Sequence, residues 1–197
     1  MNSVNYAELL RNNSRDLGLI LVYDELIRQH PNFERWSGSH STKTHHYGVG
    51  ELARHTWEII EIGMHTLTIP SMKLSEKIDP IEFYLATLFH DTGKMYDYEE
   101  MHSSTGIYWK PTEHRRLIYH VPRSALIWHD VISKFPELNE KYHDVVLHDI
   151  LAHHGKREFG SPVAPKTHCA WLLHLCDSIS ARMDDADRLD VVKFETH

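Results

Sequence analysis

Along most of this chain the apolar residues recur every three to four positions, and proline, glycine and small polar residues separate the periodic stretches. Residues 14–29 form the first predicted amphipathic helix, with Ser14 as N-cap, Leu17, Leu21 and Leu26 among its apolar positions, and Pro31 just past its end. A polar connection follows over 32–50, holding Trp36, the Ser37-Gly38-Ser39 turn and His45-His46, and closing on Gly48-Val49-Gly50. Residues 51–67 are helical, with Leu52, His55, Ile59 and Ile62 on one stripe. Pro70 and Pro80 bracket a loop, the apolar run 81–89 is the next helix, and 95–111, rich in Tyr, Ser and Gly, reads as a long loop. The pattern is helical again over 113–135, although Pro122 must start a new helix or kink the old one. The last two helices are 138–152, running into His153-His154-Gly155 with Gly155 as a C′ residue, and 167–183. In the latter Trp171, Leu172, Leu175 and Ile179 are apolar, with Asp177 among them. No stretch alternates as a strand does. The predicted fold is all-α: one compact bundle over 1–197, its motifs within about 33–183, and 184–197 a charged peripheral tail.

At 197 residues and 41% hydrophobic, the chain suits one domain with a substantial core. Its 18 histidines are the outlier and favour a metal site, since imidazole is the commonest nitrogen ligand. A net charge of −7 argues against a general grip on nucleic acid, though not against a local basic channel or a phosphate held by metal. Cys169 and Cys176 would stand about 10 Å apart on a helix, too far for a disulfide. No apolar run spans a bilayer and the first ten residues lack signal-peptide features, so a cytoplasmic protein without a membrane partner is expected.

The run 81–89 leads into His90-Asp91-Thr92-Gly93-Lys94. Adjacent residues cannot share a helix face, but both can grip one ion where the helix stops and the backbone turns. The apolar neighbours would bury the pair, and a buried unpaired Asp is costly without a cation. Standing alone, the pair reads equally well as a capping Asp beside a surface His; His55 alone reads as a satisfied core histidine. Asp177 adds a carboxylate in an apolar setting, and the set of His55, His90, Asp91 and Asp177 suits Mn²⁺, Fe²⁺, Zn²⁺, Ni²⁺ or Mg²⁺. His120, just before Pro122, and His153, at a helix end, add two nitrogens or are plain surface residues. Asp91 could bridge to a second ion, and ions ~3.5–4 Å apart clamp a phosphoryl group.

In the order His55, His90-Asp91, Asp177, these residues resemble the HD-domain metal-dependent phosphohydrolase superfamily. Three segments are similar to its branch containing the HD domains of YhaM-type 3′-5′ exoribonucleases. They are residues 45–56, from His45-His46-Tyr47-Gly48 to Arg54-His55-Thr56; residues 90–94; and residues 153–162, His153-His154-Gly155 through Glu158-Phe159-Gly160-Ser161-Pro162. The resemblance implies a helical bundle with its metal site at the centre. It implies His55, His90, Asp91 and Asp177 as ligands of one ion, and His120 and His153 as ligands of a second, with Asp91 bridging. It further implies His154 as a phosphate contact or supporting donor, and Lys94 facing the substrate phosphate. There are departures: Cys169 replaces a family glutamate, Ser180 replaces a second aspartate, and no segment has the pattern of the β-barrel that precedes the domain in those exoribonucleases.

The activity implied is a phosphohydrolase with one or two divalent ions (Mn, Fe, Ni, Zn or Mg), cleaving nucleotides or short single-stranded oligonucleotides as a 3′-5′ exonuclease or phosphodiesterase. Asp91, Lys94 and His154 are the candidate catalytic residues, with His154 or His120 protonating the leaving oxygen. Lys94, Arg115, Arg116, Lys156 and Arg157 are candidates for binding phosphates; for the last four a solvated charge face is the alternative. His45 and His46 read as support no less than catalysis, and Tyr96, Tyr98, Tyr108 and Trp109 could stack a base or pack a loop. Two other classes stay open: a di-iron HD-type oxygenase using the same ligands, and a non-catalytic HD accessory module.

Overall fold

The computed structural model describes residues 4–194, with side chains described to residue 187. Helices α1 (Tyr6–Asp16) and α2 (Ile20–Gln29) lead through a 3₁₀ turn at Phe33–Arg35 to α3 (Glu51–Leu67) and α4 (Pro80–Phe89). Short α5 (Lys94–Asp97) runs into strands β1 (Tyr98–Ser103) and β2 (Gly106–Pro111), followed by α6 (Glu113–Leu117), α7 (His120–Ile132), α8 (Pro136–Ala152) and α9 (His168–Phe194). The architecture is a helical bundle with one small hairpin.

Helix α4 is its axis. Every residue from Phe83 to Phe89 is buried, as a helix apolar on all sides requires, and α3, α8 and α9 pack around it. Asp79 accepts the Ile81 N–H at 2.9 Å and Pro80 opens the helix where no N–H is needed. The chain end of this helix therefore delivers residues 90 and 91 into the middle of the bundle.

Four expectations need correction. The single helix over 14–29 is two, broken at Gly18 with φ +73° and capped at Asn5 rather than Ser14. Ser14 is instead buried within α1, donating to the Leu10 carbonyl at 2.8 Å and bonding the Tyr84 hydroxyl. The long loop over 95–111 is α5 and an antiparallel hairpin, in register from Tyr98↔Pro111 to Ser103↔Gly106. Only Tyr98 and Trp109 of the hairpin are buried, Trp109 edge-on to Trp36 at 4.5 Å, so alternation is faint. The last helix does not stop at 183: α9 continues to residue 194, with Asp184 buried and Ala186 and Asp187 exposed; residues 195–197 lie outside the described residues. Finally, Leu21, Trp171, Leu175 and Ile179 face outward, while Leu172, Leu173 and Cys176 carry the core face of α9.

The Pro122 break is realised as two helices. Tyr119 takes φ +73°, strained for a bulky residue, and Pro122 lies in the first turn of α7, where its missing N–H is harmless. Both cysteines are buried free thiols. Among the described residues no helix is long and apolar enough to cross a membrane.

Candidate metal centre

Five segments converge on one point. Helix α3 contributes His55 from its middle, and the turn after α4 contributes His90 and Asp91. His120 is the first residue of α7, His153 and His154 follow the end of α8, and Asp177 comes from α9. His55, His90, Asp91, His120 and His153 are each at most 3% exposed.

Asp91 sits between two sets of nitrogens. Its Oδ2 lies 3.5 Å from His55 Nε2 and 3.3 Å from His90 Nε2, and His55 Nε2 is 3.0 Å from Asp177 Oδ1. Its Oδ1 lies 3.4 Å from His120 Nε2 and 3.7 Å from His153 Nε2, and His120 Nε2 is 3.4 Å from His154 Nε2.

Hydrogen bonds on the far side of each ring determine what faces inward. His90 Nδ1 donates to the Thr87 carbonyl and His153 Nδ1 to the Ile150 carbonyl, both at 2.7 Å. His55 Nδ1 donates to Ser180 Oγ at 2.9 Å, and His120 Nδ1 to Asp97 Oδ2 at 3.1 Å. With Nδ1 carrying the proton, each neutral ring turns a lone pair on Nε2 toward Asp91. Nε2 of His55, His90 and His153 and Oδ1 of Asp91 are buried without a hydrogen-bond partner. Leaving four such atoms unmade would cost several kcal/mol in all. Spacings of 3.0–3.7 Å match ligand-to-ligand edges around an ion with ~2.1 Å bonds. The residues present fit a divalent metal.

Charge agrees with that fit. Burial would raise Asp91, but the charge of Lys94 works against it and the carboxyl is held well below its usual range. Burial pushes His153 and His154 down, the latter to about 4, which keeps both neutral. Lys94 Nζ lies 2.6 Å from Asp91 Oδ2, and that pairing outweighs burial and keeps it charged.

The glycines of the motifs belong to this geometry. A Cβ on Gly93 would sit 2.1 Å from the His120 carbonyl oxygen, and one on Gly155 2.5 Å from the His174 ring, at a φ of +79°. Only glycine permits the turn after α4 to close against α7, and the chain after α8 to close against α9.

A cavity of about 490 Å³ opens onto the cluster, lined among others by His45, Asp91, Lys94, His120, His154 and Asp177, with Tyr98, Tyr119 and Phe159 as aromatic walls. Arg115 reaches it, its guanidinium 5.7 Å from the Tyr98 ring. Arg116 turns away to Glu113, and Lys156 and Arg157 are exposed and do not line the cavity. Of the candidate aromatics, Tyr98 lines it, whereas Trp109 packs on Trp36.

Three supporting residues escaped the sequence reading. Asp97 is fully buried and also accepts from His114 Nδ1 at 2.9 Å. Glu58 accepts from Ser180 Oγ at 2.8 Å, His46 Nε2 at 2.9 Å and Arg54 Nε at 2.7 Å. Asp184 accepts from the His46 amide at 2.8 Å and pairs with Arg54 at 3.2 Å. Glu58 follows His55, and Ser180 follows Asp177, by three residues on facing helices, a spacing visible in the sequence. Ser180, a departure from the family pattern, thus still links His55 to a carboxylate.

A model described as the HD domain matches residues 42–182. The 3′-5′ exoribonuclease YhaM of Oceanobacillus iheyensis is 31% identical over 146 residues, 73% of this chain and 42% of that protein. The 3′-5′ exoribonuclease YhaM of Shouchella clausii is 29% identical over 150 residues, 75% of this chain and 43% of that protein. The chain thus spans less than half the length of these curated relatives. No solved structure gives a significant match. The matched span contains every buried donor around Asp91, and the chain belongs to the HD domain family.

Proposed function

We propose that this chain is a metal-dependent phosphohydrolase that cleaves phosphoester bonds of nucleotides or short single-stranded oligonucleotides, in the manner of a 3′-5′ exonuclease or phosphodiesterase. One observation carries the reading: buried imidazole nitrogens without partners surround a carboxylate that presents one oxygen to each of two groups. His55, His90, Asp91 and Asp177 would hold one ion; His120 and His153, with the second oxygen of Asp91, would hold another. The donor types suit Mn²⁺, Fe²⁺, Ni²⁺, Zn²⁺ or Mg²⁺. Bound ions supply an acidified water and charge neutralisation at the phosphoryl group.

The chain's own residues do the rest. Lys94 holds a positive charge on the cavity wall beside Asp91, where a phosphoryl oxygen would gain a charge-assisted bond. His154 faces the same space and can hydrogen-bond the leaving oxygen. Arg115 meets a neighbouring phosphate, and Tyr98, Tyr119 and Phe159 offer faces to a base. The names of the relatives favour a nuclease; the acidic net charge and a cavity of about 490 Å³ favour short or single-nucleotide substrates.

The test is a screen of chelator-stripped protein, with and without each ion, on bis-p-nitrophenyl phosphate, nucleotides, and short single-stranded RNA and DNA. Metal-dependent hydrolysis is expected, and Asp91→Ala should lose bound metal and hydrolysis together. Turnover that survives Asp91→Ala, or no hydrolysis with any ion, contradicts the reading.

A further inference from the structure

Glu82, Asp149 and Cys169 meet where α4, α8 and α9 pack, with a ligand atom from each within 4.8 Å of the others. They lie one to two helical turns before the residues that these same helices bring to the centre around Asp91. Glu82 is eight residues before His90, Asp149 four before His153, and Cys169 eight before Asp177, so ~6–12 Å along each axis. Asp149 is fully buried and Cys169 nearly so, while half-buried Glu82 gives the group its way to solvent.

Three acids face one another here. Among the described residues no lysine, arginine or histidine pairs with any of them. Thr167 Oγ1 donates to Asp149 Oδ1 at 3.0 Å and itself accepts the Ala170 N–H at 2.9 Å, which ties one carboxylate oxygen to the start of α9. The other oxygen, Oδ2, is buried with no hydrogen-bond partner. A hydroxyl that orients one oxygen and leaves its twin free is how supporting bonds aim a metal ligand. Without a cation, burial pushes Asp149 up to about 7; the neighbouring Cys169 opposes that rise and the charge of Glu82 adds to it, while burial and these two acids push Cys169 up. A divalent cation reverses that balance, and the acids release their protons to solvent as it binds.

We propose that Glu82, Asp149 and Cys169 form a second, structural metal site for a thiophilic divalent ion of the Zn²⁺ class, separate from the centre on which the proposed function rests. One sulfur and two oxygens are a borderline donor set that such an ion accepts, with water free to complete the tetrahedron. The ion pins α4, α8 and α9 together below the residues that those helices present to the cavity.

Co²⁺ is the probe, because it occupies zinc sites and reports a thiolate ligand by a charge-transfer band in the near ultraviolet. Chelator-stripped, reduced wild-type protein titrated with Co²⁺ should show that band, and Zn²⁺ should displace it. Cys169→Ser should lose the band and bind one ion fewer per chain, while Cys176→Ser should keep both. Asp149→Asn, which retains an acceptor for Thr167, should weaken the Co²⁺ affinity of the band at least tenfold. Absence of the band in the wild-type protein overturns the site without reference to any variant. A band that survives Cys169→Ser or disappears in Cys176→Ser overturns it as well. Asp91→Ala should abolish hydrolysis and spare the thiolate band, so the two readings fail separately.

Discussion

Asp91 does at residue scale what no single histidine could, because its two oxygens address two groups of nitrogens at once. Lys94 sits on one of those oxygens, and under the proposed function its removal should separate metal binding from turnover. Lys94→Ala should leave the metal content unchanged and lower kcat by about 10²–10³, the range seen when one positioned donor to a transition state is deleted. Metal analysis alongside steady-state kinetics checks it, and loss of metal in that variant would contradict the assignment. Glu58 tests the support behind His55. Burial opposes its charge, but hydrogen bonds from His46 and Ser180, with the charge of Arg54, outweigh burial and hold it at about 2. The folded pKa lies below the unfolded value, so the stabilisation is present above about 4.5 and is lost as pH falls toward 2. Denaturation in chelator should find the wild type up to about 3 kcal/mol more stable than Glu58→Gln at pH 7, with the gap closing over that acid range. A gap independent of pH would contradict the network. His55, His90, Asp91 and Asp177 were legible in the sequence because each lies at or next to an apolar stripe, and His120 and His153 because they stand at helix ends and fall on the family's motif positions. Glu58 and Asp97 were not, because a carboxylate that supports a ligand from behind looks like any other polar residue.

Among the elements, helix ends do the positioning. His90, His120 and His153 each stand at a helix boundary, where the backbone can aim a ring inward. The turn after α4 is tight because Gly93 lies against the His120 carbonyl. Gly93→Ala should therefore destabilise the protein by about 1–3 kcal/mol. It should also weaken the second ion more than the first, since the forced shift falls on His120. Thermal denaturation with metal titration reads both effects, and an unaltered second affinity would contradict this role. The long helices were legible from their apolar period. The break at Gly18 was not, because the apolar pattern runs on across it. The hairpin over 98–111 was hidden for the opposite reason: two mostly solvated strands carry too few buried residues to alternate.

For the whole molecule, the bundle brings together donors up to 122 residues apart in sequence (His55 to Asp177) around a point that the chain alone leaves unsatisfied. Folding and metal binding are then linked, and an ion that binds only the folded state raises stability by mass action. Mn²⁺ should raise the thermal midpoint of stripped wild-type protein and leave that of Asp91→Ala unchanged. The most direct measurement is anomalous X-ray scattering from crystals soaked in Mn²⁺. The account predicts a peak ~2.0–2.3 Å from Nε2 of His55 and His90 and from the carboxylates of Asp91 and Asp177. No peak there, with those nitrogens bonded to water or to one another, would contradict it.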